Sequence, residues 1–160
     1  MRLILSAIGR LKDAEERAIV ARYKKRFDAS GRPLGLGPLE ILEMPESRAG
    51  SAEARKADEA QRLIKSAGAA GLIIALDEKG RGLSSETFAK LLAKHRDGGV
   101  KTAALLIGGP DGHGAEALKA AGLALTLGAM TLPHGLARVV LCEQLYRAAT
   151  ILAGHPYHRG

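Results

Sequence analysis

The chain has 160 residues, 46% of them hydrophobic and 26% charged, the balance of one ordinary folded domain spanning residues 1–160. That balance excludes a disordered tail, a collagen-like rod and a disulfide scaffold, since the single cysteine, Cys142, has no partner within the chain. The 24 Lys and Arg against 17 Asp and Glu leave a net charge of +7, which suits a polyanionic partner without requiring one.

No apolar run nears the roughly 18 residues of a membrane span, so no membrane partner is expected. The opening stretch MRLILSAIGRLKD is too short in apolar residues for a secretory signal and turns to charges at once. A cytoplasmic protein is expected. With 20 glycines and only five aromatic residues (Tyr23, Phe27, Phe88, Tyr146, Tyr157), the core has to come from Leu, Ile, Val and Ala.

Leu3 to Ile8 reads as a first strand, ended by Gly9. Asp13 to Phe27 reads as a helix, with Ala14, Ala18 and Ala21, then Ile19, Tyr23 and Phe27, at helical spacing. Asp28 to Pro38 is a loop by its Gly and Pro content. Leu39 to Met44 is a second strand stopped by Pro45, and Ser51 to Ser66 a helix closed by Gly68. Gly71 to Leu76 is a continuous apolar run of the kind found in a strand buried on both faces. Ser84 to Thr87 carries an N-cap signature for a helix reaching Arg96. Thr102 to Ile107 is another buried strand, Ala115 to Ala121 a short helix, Leu123 to Leu127 a last strand, and Leu136 to Leu152 a final helix. Strands alternating with helices predict an α/β fold with a mainly parallel sheet and helices on both faces.

The informative segments come directly after the last three strands: Asp77–Gly82 (DEKGRG), Gly108–Gly114 (GGPDGHG) and Gly128–Gly135 (GAMTLPHG). In a parallel sheet these segments share one rim, the place where open α/β sheets bind ligands. They hold eight glycines, yet none has GxGxxG spacing, and no GxxxxGK[ST] phosphate loop occurs. Backbone and small apolar side chains dominate, which favours a compact ligand bearing an adenine-like ring over a triphosphate. Of the histidines His95, His113, His134, His155 and His158, one i, i+3 pair lies in a tail without Cys or carboxylate beside it, so no metal is expected. Cys142 falls inside the final helix, as a small buried thiol does. The tail GHPYHRG offers in Tyr157, His158 and Arg159 an aromatic face, an imidazole and a guanidinium, groups that stack an unpaired base and hold its phosphate.

IGGPDG (Ile107–Gly112), TLPHGLARVVLCEQLYRA (Thr131–Ala148), HPYHR (His155–Arg159), the MRLILSAIGRLKD opening and the YKKRF of the first helix together resemble the RlmH family. These are SPOUT-class methyltransferases acting on a pseudouridine of large-subunit ribosomal RNA. The resemblance implies a C-terminal trefoil knot, which the general scarcity of knots argues against. It implies S-adenosylmethionine held by Leu76, Gly108 and the run Leu127, Gly128, Ala129, Met130, Thr131 and Leu132. It further implies a homodimer whose partner completes the site, and methylation of N3 of pseudouridine 1915 in helix 69 of 23S ribosomal RNA, on the assembled ribosome. For the chemistry it points to His134, Arg138, Arg147, Tyr157, His158 and Arg159, with Tyr157 stacking the base and Arg159 and His158 handling charge. Arg138 and Arg147 could instead be structural ion pairs, with Glu143 as a partner. A non-catalytic ribosome-binding factor keeping the fold, or an α/β enzyme acting on a small nucleotide, are the competing expectations.

Overall fold

The computed structural model describes residues 1–158. In chain order the elements are β1 (Arg2–Ile8), α1 (Ala14–Gly31), β2 (Leu39–Met44), α2 (Ala52–Ala67), β3 (Leu72–Gly82) and α3 (Ser85–Asp97). They continue with β4 (Thr102–Ile107), α4 (Ala115–Ala120), β5 (Leu123–Thr126) and α5 (His134–Leu152), and 3-10 turns cover Arg32–Leu34 and Pro156–His158. Three helices start where short polar side chains predict it. Asp13 accepts from the Glu16 N–H, Ser51 from Ala54 and Ser84 from Thr87, each satisfying a donor that the first helical turn leaves free.

The strands form one sheet in the order β2-β1-β4-β3-β5, every pairing parallel. β4 shows how the two faces are filled. Ala103, Leu105 and Ile107 point into the larger apolar cluster beneath α1, α3 and α5, whereas Ala104 and Leu106 join Ile8, Leu63 and Ala67 beneath α2. Both faces of this central strand are therefore dry, which is why its sequence is an unbroken apolar run.

The fold departs from the sequence-based expectations in three places. Asp28–Gly31, expected in a loop, forms the last turn of α1. On α1 the small residues Ala14, Ala18 and Ala21 are exposed, and Val20 and Phe27 are buried instead. An alanine stripe has the right period for a core face, but it gains little from burial, so the larger side chains set the helix rotation. The segment Asp77–Gly82 is not a free loop. β3 pairs with β5 at Leu76, bulges outward, and pairs again at Arg81 and Gly82 with Leu125 and Thr126. Gly80 makes this possible, since any Cβ there would lie 2.6 Å from the Leu125 backbone.

Arg138 fastens α5 across the sheet ends. Its side chain is buried, donates to the Ile8 and Gly9 carbonyls at 2.8 Å each, and pairs with Glu43 of β2 at 2.7 Å. It is thus a structural ion pair, with Glu43 and not Glu143 as partner. Replacing Arg138 with Met should cost about 3 kcal/mol of stability in urea unfolding, because two carbonyls lose this donor and the Glu43 carboxylate loses its charge partner together.

Candidate active site

Because all strands run one way, the carboxyl ends of β3, β4 and β5 meet at one rim, and a cavity of about 650 Å³ opens there. Ligand sites of this kind span about 300–1,000 Å³. Leu76, Gly108, Leu127, Gly128, Met130, Thr131 and Leu132 all line it, as does His134 from the first turn of α5. Ala129 belongs to the same loop but not to the cavity wall. A neighbouring cavity of about 390 Å³ shares Thr126, Leu127 and Gly128 but has no ionisable group in its lining.

The loops are held by specific bonds. After β4, the Gly112 N–H donates to the Gly109 carbonyl at 2.9 Å, closing a tight turn around Pro110 and Asp111, with Gly112 at φ +83°. Asp111 is gripped by Arg55 of α2 at 2.7 and 3.2 Å. That hydrogen bond holds the Asp111 carboxyl below its ordinary range and the Arg55 guanidinium above its own. Underneath lies Glu59, buried, accepting from the Ser47 N–H at 2.8 Å through Oε1. A side chain on Gly109 would lie 2.5 Å from the other Glu59 oxygen, so the turn sits directly on this carboxylate. In the last loop the Thr126 hydroxyl donates to the Gly128 carbonyl at 2.8 Å.

Inside the cavity the charged groups are Asp77, Glu78, Lys79 and Asp111, with two histidines beside them and no arginine. A polyphosphate would meet too few cations here, whereas a positively charged ligand meets carboxylates. His113 is the polar feature in most need of a partner. Both of its ring nitrogens are closed off from solvent, and neither makes a well-formed hydrogen bond, although the Leu76 and Leu106 carbonyls approach the ring. Buried polar atoms of this kind are normally completed by a ligand or water. Burial lowers the His113 pKa, partly offset by Asp77 and by the Leu76 and Leu106 carbonyls.

The tail group forms a second cluster elsewhere. Glu143 accepts from Arg147 Nε at 2.9 Å and from the Tyr157 hydroxyl at 3.1 Å. The Arg147 guanidinium also lies 5.0 Å from the centre of the Tyr157 ring, and that ring is 4.6 Å from Tyr146. Burial, followed by hydrogen bonding to Tyr23, raises the Tyr157 pKa, so its hydroxyl is a donor and not a base. Arg147, as an i, i+4 pair with Glu143, stays firmly charged. Along α5, Glu143 and Arg147 lie nine and 13 residues past His134, about 14 and 20 Å by helical rise. The structure therefore brings His134 together with the predicted cofactor residues, and Arg147 with Tyr157, but does not join the two groups within one chain. Arg159 and the side chain of His158 lie outside the described residues.

Sequence reasoning missed Glu59, Arg55 and the role of His113. Nothing in the local pattern of α2 sets Glu59 apart from its solvated neighbours, although a glycine pair needing room at Gly108 and Gly109 hints at something close beneath. Cys142 is buried, with its thiol pushed up to about 12 by desolvation, so it offers no nucleophile. Among the described residues no three His, Cys, Asp or Glu side chains are grouped to hold a metal, and no helix is long and apolar enough to cross a membrane.

Known proteins resemble this chain along its whole length. The family profile described as predicted SPOUT methyltransferase matches residues 1–158. A Xanthobacter autotrophicus protein named ribosomal RNA large subunit methyltransferase H is 52% identical over 159 residues, covering 99% of each chain. A protein of the same name from Brucella anthropi is 50% identical over 159 residues, again 99% of each. Among solved structures, a probable methylase family protein from Haemophilus influenzae Rd KW20 matches 98% of this chain and 69% of its own. Its TM-score is 0.56 at 15% identity, a likeness of fold alone.

The depressed His113 pKa has a measurable consequence. Between its folded value and the ordinary 6.5, the unfolded chain binds the extra proton, so this histidine's contribution to stability is lost as pH falls below about 6.5. Urea unfolding at pH 7 and pH 5.5 should show a steeper loss for the parent chain than for His113→Leu.

Proposed function

The chain belongs to the SPOUT methyltransferase family, and we propose that it methylates N3 of a pseudouridine in 23S ribosomal RNA. The methyl donor is S-adenosylmethionine, the substrate the assembled ribosome, and the working form a cytoplasmic homodimer with the family's trefoil knot. The observation that carries this reading is the glycine-walled cavity, into which the bulge of β3 and the loops after β4 and β5 converge with carboxylates and no arginine. A sulfonium compound with an adenine ring suits that lining of carboxylates, backbone and small side chains.

When bound, S-adenosylmethionine supplies an electrophilic sulfonium methyl group. The rest of the work falls to side chains. N3 of pseudouridine carries a weakly acidic imide proton, which must be lost or shared for the nitrogen to act as a nucleophile. His134 stands at the cavity wall, where a base or proton relay is needed. The Arg147 guanidinium, with His158 and Arg159, meets the negative charge that develops on the pyrimidine oxygens. Tyr157, held protonated by Glu143 and burial, orients or stacks the base. Holding the reacting atoms in line supplies most of the remaining rate.

The separation of about 20 Å along α5 between His134 and Arg147 supports a site assembled from two subunits. One chain cannot bring its own tail to its own cavity without unpacking Tyr157 from Tyr146 and Glu143. The tail that completes a cavity is therefore the partner subunit's.

Incubation with labelled S-adenosylmethionine and ribosomes lacking the modification should label the large-subunit RNA. A chain without residues 157–160 should bind the cofactor as the parent does and lose transfer by at least about 100-fold. Methylation that survives the truncation refutes the tail assignment. Absence of cofactor affinity in the full chain refutes the enzyme and leaves a ribosome-binding factor.

A further inference from the structure

The outer face of α1 carries basic charge that no carboxylate among the described residues neutralises. Arg22, Lys25 and Arg26 are exposed and sit within about 6 Å of helix rise. Among the described residues none of the three forms an ion pair. Asp28, the carboxylate in reach of Lys25, is taken by Lys24 at 2.6 Å and by the Leu39 N–H at 2.7 Å. Arg22 and Arg26 stand at i, i+4, where like charges cost a helix a few tenths of a kcal/mol. The pair therefore leaves positive charge available to an anion outside the molecule.

These guanidiniums are also aimed. Arg22 lies 5.8 Å from the centre of the Tyr23 ring, and Arg26 lies 5.8 Å from both Tyr23 and Tyr146. Tyr23 and Tyr146 are 6.1 Å apart, and Tyr146 leads on to Tyr157 at 4.6 Å. Three half-buried rings thus form a continuous ladder from α1 to the tail, with arginines seated along it. Cation–aromatic contact fixes the arginine planes and leaves their outer N–H groups free to donate.

We infer that this tier, Arg22, Lys25 and Arg26 over Tyr23 and Tyr146, is an RNA-seating surface that grips two or three phosphates of the unpaired segment carrying the target base. The inference rests on the ribosomal RNA function proposed for the chain and adds to it a binding surface distant from the cofactor cavity. Charge without aromatic support would fit any acidic partner. Planar cations interleaved with ring faces fit a single-stranded nucleic acid, whose phosphates and bases need both at once. The patch is too short for a duplex groove, and its continuity with Tyr157 places the bound segment beside the groups that act on the base.

The test compares the full-length parent with Arg22→Gln/Arg26→Gln and Arg22→Lys/Arg26→Lys, using ribosomes that lack the modification and an RNA hairpin of the target loop. In the Gln pair, KM for ribosomes should rise about tenfold near physiological salt, and the salt slope of hairpin binding should fall by about 1.5. Cofactor affinity, read by calorimetry, should match the parent, and the loss should fall on KM more than on kcat. The Lys pair should keep the salt slope. A Gln pair with the parent's KM and salt slope overturns the inference, as does loss of affinity for an acidic polypeptide with RNA binding intact. A parent chain that methylates no ribosome instead refutes the underlying methyltransferase function, which the unsubstituted control reveals separately.

Discussion

The common direction of the five strands is the constraint on which everything else depends. A parallel pair can be connected only by a crossover, so each strand end is followed by a segment leaving from the same side. Three such segments then share the rim at β3, β4 and β5, and a cavity is the geometric result. Arg138 turns that rim into a fixed site. By holding the Ile8 and Gly9 carbonyls and Glu43 together, it locks the first turns of α5 over the sheet ends, and with them His134. A buried cation is an expensive way to do this. It is sustainable because the guanidinium meets an opposite charge on Glu43 and two backbone carbonyls at once.

α5 serves two sites at once. Its first turn walls the cavity, and its later turns carry Glu143, Tyr146 and Arg147. One carboxylate, Glu143, orders the second group by accepting from both Arg147 and Tyr157. Both donors meet the same oxygen, which together with the Tyr146 ring gives Tyr157 a defined seat. The helix lies between α1 and α3, packed on both sides, and its sequence accordingly lacks a clean polar stripe.

Much of this was legible from residue order alone. The apolar runs at Leu72–Leu76 and Thr102–Ile107 could only be buried strands, and Ser51 and Ser84 marked helix starts that the structure keeps. The glycine-rich rim was equally visible, since close backbone packing leaves a compositional trace. The rotation of α1 was not, because an alanine stripe and a tyrosine–phenylalanine stripe compete at one period. Nor was the second pairing of β3 with β5, because DEKGRG carries every sign of a loop and its strand character comes from pairing with the backbone of Leu125 and Thr126.

Local chemistry, then, determined the element types, the parallel architecture and the residues that wall the rim. All three come from periodicity, capping and the steric freedom of glycine, which act within a few neighbours. Tertiary structure alone decided that Arg138 pairs with Glu43, 95 residues away, that Glu59 underlies Gly109, and that the ring nitrogens of His113 are closed off from solvent. It also decided that the tail and the cavity occupy opposite stretches of α5. Such relations depend on how distant segments are packed together, and a distance through space leaves no mark on the spacing along a chain.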